Sequence, residues 1–466
     1  MGRKKRVYVV LSVLLALSSC DTDDEVDPFL AILEENEQFG GGQGTIFDEG
    51  ENAFGQLPDI LLSRNREFVT GNSFFRRNWV TEPASTSDLD GLGPLFNARS
   101  CGACHFKDGR GAPPLTPNEE PLALLFRLSK PGQIEWEQLP DDIYGGQLNP
   151  NSIFGIEAEG SVSIDYVEQP GSYPDGTRFS LRKPIVSFDL NYGPLHPSTS
   201  IGPRIAPHII GQGLLEAISE DDILSLADEF DSDGDGISGK PNYVWDLVNK
   251  KESIGRFGWK ANQPNVRQQV ASAFAGDIGI TSSLFPDDPC GEDQDACNDA
   301  LYDNDIDLTE GILDRVTFYS QALGVPRRRD WDEPQVLQGK SLFTQANCSA
   351  CHTPKFVTGS FSDIPEYSNQ TIRPYTDLLL HDMGPGLADN APDNRASGSE
   401  WKTPPLWGLG MVRVVNNHTN FLHDGRARNF EEAILWHGGE AETSKQDFMS
   451  LELKEREAII AFLESL

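Results

Sequence analysis

Hydrophobic and polar residues alternate along this chain in two distinct rhythms. Residues 214–229, 264–275 and 307–321 carry apolar positions at helical spacing, which predicts helices there. Pro264 suits the first turn of its helix, where no backbone N–H is needed. The final stretch, 453–466, has one apolar face and predicts a closing helix. Between about 120 and 195 the helical rhythm disappears. Residues 123–128, 161–164 and 178–181 instead alternate, or carry β-branched residues between proline and glycine breaks, and predict strands. An acidic, glycine-rich run over 21–55 reads as a tether, and Pro326-Arg327-Arg328-Arg329-Asp330 reads as a boundary between a region 56–325 and a region 326–466.

Two Cys-x-x-Cys-His pentads change this picture: Cys101-Gly102-Ala103-Cys104-His105 and Cys348-Ser349-Ala350-Cys351-His352. Each is the attachment signature of a c-type haem. Two intervening residues bring both sulfurs to one porphyrin edge, and the adjacent imidazole can then ligate the iron. With 7 Cys and 8 His in 466 residues, one such pentad arises by chance about 0.002 times. A zinc ribbon would need a second Cys or His pair at short range, and a thioredoxin-like pair would follow a strand in a βαβ unit. Neither context surrounds the pentads. The expected fold is mainly α: two cytochrome c-like haem regions, the first with a β-rich insertion.

The chain opens with Arg3, Lys4, Lys5 and Arg6, then an apolar run, 7–17, too short to span a bilayer comfortably. Leu17-Ser18-Ser19-Cys20 resembles a lipoprotein cleavage box, with residues 1–20 as the signal peptide and Cys20 as the lipidated residue. Export and a membrane anchor through that lipid are therefore expected, in the periplasm or at the cell surface. Cys290 and Cys297 then remain, and a local disulfide is their expected state in an oxidising compartment. No thiol is left for catalysis. The net charge of −34 disfavours nucleic acid and anionic lipid as partners, and is compatible with a basic donor protein.

Around and beyond the pentads, several segments resemble the bacterial di-haem oxidoreductases, relatives of di-haem cytochrome c peroxidases. They are residues 91–111, Arg256-Phe257-Gly258-Trp259-Lys260, residues 374–384, Trp401-Lys402-Thr403-Pro404-Pro405-Leu406-Trp407 and Phe421-Leu422-His423-Asp424-Gly425-Arg426-Ala427. The resemblance implies one reactive haem, at the first pentad, and one electron relay, at the second. It implies peroxide or O2 as the small substrate and a small electron-donor protein as partner. A non-enzymatic electron-transfer cytochrome, and an oxygenase or protein-oxidising enzyme, are the alternatives.

The sixth ligands decide between these. His105 and His352 are the proximal ligands. No histidine or methionine follows His105 until His196, so the first haem is expected to keep an open face unless His196 or His208 closes it. Gln212 and Glu216 share a helical face, and relatives carry a distal Gln and Glu in a comparable region, which makes Glu216 the candidate acid–base. For the second haem, Glu400 stands where relatives supply a ligand. Met383 is the preferred sixth ligand; Met411, His381, His423 and His437 are alternatives. Asp231, Asp233 and Asp235 before Gly236 match the start of a calcium loop, with Asn242 in place of its closing Glu.

Overall fold

Two pairs of helices cross in the same way, and each crossing is built on a glycine followed four residues later by a phenylalanine. Helix Asn65–Arg76 packs on helix Glu310–Ala322, and helix Pro334–Gln345 packs on helix Leu453–Ser465. A Cβ at Gly71 would collide with the Arg315 carbonyl, and one at Gly339 with the Ala458 carbonyl. Only glycine lets the backbones approach so closely. Phe75 then meets Tyr319 at 5.3 Å between ring centroids, and Phe343 meets Phe462 at 5.2 Å. The same phenylalanines touch the pentad histidines: Phe75 lies 6.2 Å from His105, and Phe343 lies 6.1 Å from His352.

This computed structural model describes residues 33–86, 88–287, 290–291, 294–300 and 306–466. The expected signal peptide, Cys20 and residues 21–32 of the acidic tether lie outside them, whereas residues 33–55 of that tether are folded, with Glu37, Ile46, Ala53 and Phe54 buried. No described helix is long and apolar enough to cross a membrane.

Helix ends follow their side chains. Thr309 accepts from the Ile312 amide and starts one helix, and Asn265 accepts from the Gln268 amide and starts Val266–Ala273. That helix runs on into one wider π turn, Phe274–Ile278. The helix expected over 214–229 is instead two short ones, Gln212–Glu216 and Glu220–Leu224. Ser219 caps the second by accepting from the Asp222 amide, so the chain restarts there.

Strand Leu124–Ser129 pairs antiparallel with Ser200–Ile205. Strands Gly160–Ser172 and Arg178–Leu190 form a long hairpin in which Ile164 faces Val186. Leu124, Phe126, Val162 and Ile164 turn inward with Tyr144 to make a separate small core. Short antiparallel pairs also occur far from this region, Tyr243–Asp246 with Lys251–Ile254 and Leu380–Asp382 with Glu400–Lys402. With 31% helix and 18% strand the fold is mixed α/β. The mainly α expectation is overturned. Its error was to extend the helical signal around the pentads to a chain whose strands are long in one region and scattered through the rest.

The larger core draws on residues from Ala53 to Leu466, so it passes across position 326. Thr45–Ile46 also pairs in parallel with Val325–Pro326. Trp259 packs against both the larger and the smaller core.

Replacing Gly339 by Ala should cost about 1–3 kcal/mol, because the added methyl forces two helices apart. Gly311 is the control: a Cβ there would meet only the far end of Arg315. Gly311→Ala should be neutral or gain up to about 1 kcal/mol of helix propensity. Denaturant unfolding compares them, and a Gly339→Ala midpoint equal to that of the unsubstituted protein would refute the close-crossing account.

Candidate cofactor cavities

Both pentads fold into one tight turn. The His105 amide donates to the Cys101 carbonyl at 2.9 Å, and the His352 amide donates to the Cys348 carbonyl at 3.0 Å. Each imidazole is then pinned from a distant segment. His105 Nδ1 lies 2.7 Å from the Pro207 carbonyl, and His352 Nδ1 lies 3.0 Å from the Tyr375 carbonyl. A carbonyl only accepts, so Nδ1 must carry the proton and Nε2 keeps its lone pair. Burial lowers the proton affinity of both rings, that of His352 to about 4. Both are neutral at pH 7, the state in which imidazole binds a metal.

The four pentad thiols are held protonated, whereas dithiol redox chemistry uses the thiolate. Burial pushes Cys101, Cys104 and Cys348 up to about 12 and raises Cys351 as well. Among the described residues no metal-competent cluster contains Cys101 or Cys104. Cys351 does lie with Asp377 and His381. His381 is already committed, however, with Nε2 2.7 Å from Asp377 and Nδ1 2.7 Å from Glu440. Burial alone would discharge it, but these two carboxylates hold its pKa well above the ordinary value.

Each pentad opens onto its own cavity. The first is lined by Cys101, Cys104 and His105 together with Arg127, Gln269 and Asp277. The second is lined by Cys348, Cys351 and His352 together with Met383, His423 and His437. Pro207, Gln212 and Phe257-Gly258-Trp259 line both, so they form a common wall. Gly258 takes a left-handed conformation, φ +78°. Trp259 Nε1 donates to the Ile205 carbonyl at 2.8 Å, which fixes the indole in that wall.

The donor sets fit haem. Each cavity offers two thiols and a neutral imidazole with a free Nε2, and each also holds buried cations. Arg110 enters the second cavity hydrogen-bonded to the carbonyls of Asn420 and Leu422, and burial lowers it to about 9. Lys402 enters beside it, lowered by burial to about 8, with Asp377 opposing the shift. A buried cation without a close anion is costly. Haem propionates would supply anions to Arg110 and Lys402, and Arg127 offers the same to a propionate in the first cavity.

The other residues singled out by sequence fall in varied places. Gln212 reaches the wall, but Glu216 lines neither cavity. Its Oε1 accepts from the Val266 amide at 3.0 Å and its Oε2 from Gln321 at 2.7 Å, so it caps the helix Val266–Ala273. Glu400 also stays outside, with Oε1 2.7 Å from Lys240 Nζ and Oε2 accepting from the Ser397 amide. Met411 is packed in the core. His196 bonds Ser198 at the surface, and His208 lines the second cavity rather than the first. Asp231 and Asp233 gather with Asp228 in an exposed loop, while Asp235 only accepts from the Ile237 amide. Asp231 and Asp233 spend oxygens on loop amides of their own, and nothing beyond this acidic turn supports calcium. Cys290 and Cys297 are joined in a disulfide.

Sequence reasoning passed over Gln269 and Asp277. They are eight residues apart on the Val266–Ala273 helix and its π extension, which brings both to the first cavity. The Asp277 carbonyl accepts from the amides of Asn97 and Ala98, just ahead of the first pentad. Burial raises its carboxyl pKa, opposed by Arg127 and by a hydrogen bond from Gln147 at 2.9 Å. The available signal was helical spacing counted from the Asn265 cap.

Glu216 has a measurable signature. Burial raises its pKa from 4.5 to about 6, against the hydrogen bonds from Gln321 and Val266. The folded protein therefore binds that proton more tightly than the unfolded chain, and stability falls as pH rises from about 4.5 to about 6. Glu216→Gln should remove about 1–2 kcal/mol of this slope. Unfolding midpoints between pH 4 and pH 7 test it, and an unaltered profile would contradict the assignment.

No curated protein matches this chain. A family model described as "Di-haem oxidoreductase, putative peroxidase" matches residues 35–127 and 151–466. That match takes in both pentads, the common wall and nearly every residue described above, and the chain belongs to the di-haem oxidoreductase family.

Proposed function

We propose that this protein is a c-type di-haem peroxidase that reduces hydrogen peroxide at the first cavity with electrons relayed through the second. The observation that carries this reading is the unequal lining of the two cavities. Beyond His105, the residues lining the first include no histidine or methionine. Those lining the second include Met383, His423 and His437. One cavity is therefore furnished for a substrate and the other for a second axial ligand.

A haem held by Cys101, Cys104 and His105 would supply the redox chemistry that peroxide reduction requires. Around it the chain's own groups have definite tasks. Pro207 holds the His105 ring through Nδ1 and keeps Nε2 unprotonated. Peroxide reduction consumes two protons and two electrons and yields two waters, so a proton donor must line the cavity. Asp277 is suited to that task, because burial raises its carboxyl pKa toward the working range of a general acid. Gln269 adds an amide that can hold the small substrate.

Electrons would come from a small donor protein, and the net charge of −34 favours a basic one. The Trp259 indole, fixed between the cavities, provides an aromatic bridge. The basic and apolar start of the chain ending at Cys20, together with the Cys290–Cys297 disulfide, supports an exported, lipid-anchored location.

Asp277→Asn should lower peroxide turnover by roughly 10²–10⁴-fold, the usual contribution of a positioned proton donor. Haem content should not change. Stopped-flow assays with a reduced donor read the turnover, and a variant as fast as the unsubstituted protein would remove Asp277 from the mechanism.

A further inference from the structure

We propose that His437 is the second axial ligand of the haem held by Cys348, Cys351 and His352, which makes this haem bis-histidine ligated. The inference rests on the reading that this pentad carries a covalent haem, and it goes further by naming the ligand on the opposite face.

A ligating imidazole must be neutral, must keep one nitrogen free for the metal, and is normally held through the other nitrogen by a backbone carbonyl or carboxylate. His105 and His352 show this arrangement. Four further histidines line the second cavity: His208, His381, His423 and His437. His437 alone among them repeats it. Its Nδ1 lies 2.7 Å from the Ala433 carbonyl, four residues back, so Nδ1 carries the proton and Nε2 has the lone pair. His437 and His352 line the same cavity.

The other three have different commitments. Both nitrogens of His381 are bonded to carboxylates, and its charge is retained. The His423 ring lies flat on Trp401, 3.7 Å between centroids and 14° from parallel. Its charged neighbours include Arg204, which lines the first cavity. His208 follows Pro207 in the common wall, and its charged neighbours are Arg110, Lys402 and His105 rather than His352. Met383 remains as a rival. Its side chain packs on the larger core, and it stands at the start of the short helix Gly384–Leu387.

A methionine axial ligand raises the potential of a c-type haem. Bis-histidine ligation therefore gives this relay a lower potential than a His/Met haem would have. Its donor must be correspondingly reducing.

The test uses the full-length holoprotein. An alkaline pyridine spectrum first counts covalent haem, and fewer than two per chain overturns the underlying functional reading whatever the ligand. With two present, ferric electron paramagnetic resonance and near-infrared magnetic circular dichroism identify the ligands. The expected result is one bis-imidazole low-spin haem, one high-spin haem and no sulfur-to-iron charge-transfer band. His437→Gly should lose the low-spin signal, and added imidazole should restore it. Met383→Leu should leave the spectrum unchanged. A sulfur-to-iron band in the unsubstituted protein, a persistent low-spin signal in His437→Gly without imidazole, or its loss in Met383→Leu would each overturn the proposal. If His437→Gly does not fold, His437→Met replaces it: a new sulfur band and an upward shift of one potential support the proposal, and unchanged spectra overturn it.

Discussion

Each pentad depends on one hydrogen bond that the pentad cannot make for itself. The partner is a backbone carbonyl more than twenty residues away: Pro207 for His105 and Tyr375 for His352. A carbonyl has no proton to give, so it dictates which nitrogen is protonated and where the other lone pair lies. Placing those two carbonyls requires the folds around them. Pro207 lies just after strand Ser200–Ile205, which is paired with Leu124–Ser129, and Tyr375 takes a left-handed backbone conformation with φ 54°. The strands that upset the mainly α expectation are thus part of what orients the first imidazole.

The two halves solve the same packing problem twice. Gly71 with Phe75 and Gly339 with Phe343 bring a helix close to its partner and set an aromatic ring against the pentad histidine. Beyond that common frame they diverge. The first cavity is lined with two carboxyls, Asp277 and Asp393, and several amides, the second with a thioether and further imidazoles. Similar scaffolds therefore carry unlike linings.

The pentads were legible because the Cys-x-x-Cys-His signature is written in five consecutive residues. The closing helix, the helix Glu310–Ala322 and the strands near 124, 161 and 178 were legible from periodicity. The cavity linings were not, because they are assembled from segments brought together only by folding. Glu216 illustrates the limit. Sharing a face with Gln212 was correct arithmetic, but spacing does not say what that face meets. On a helix of five residues, Gln212 turns to the wall and Glu216 turns to the start of the next helix. Glu400 misled in a related way: its position in the motif was right for a ligand, and its carboxylate went to Lys240 instead.

The common wall has a consequence for how the two centres respond to change. Pro207, Gln212 and Phe257-Gly258-Trp259 present one surface to each cavity, so no displacement there is private to one side. Residues that share such a contact are thermodynamically coupled, and their effects do not add. By linkage, whatever filling one cavity does to the free energy of filling the other must hold equally in reverse. The two cavities are therefore joined through one shared surface, and a substitution at the wall reaches both of them at once.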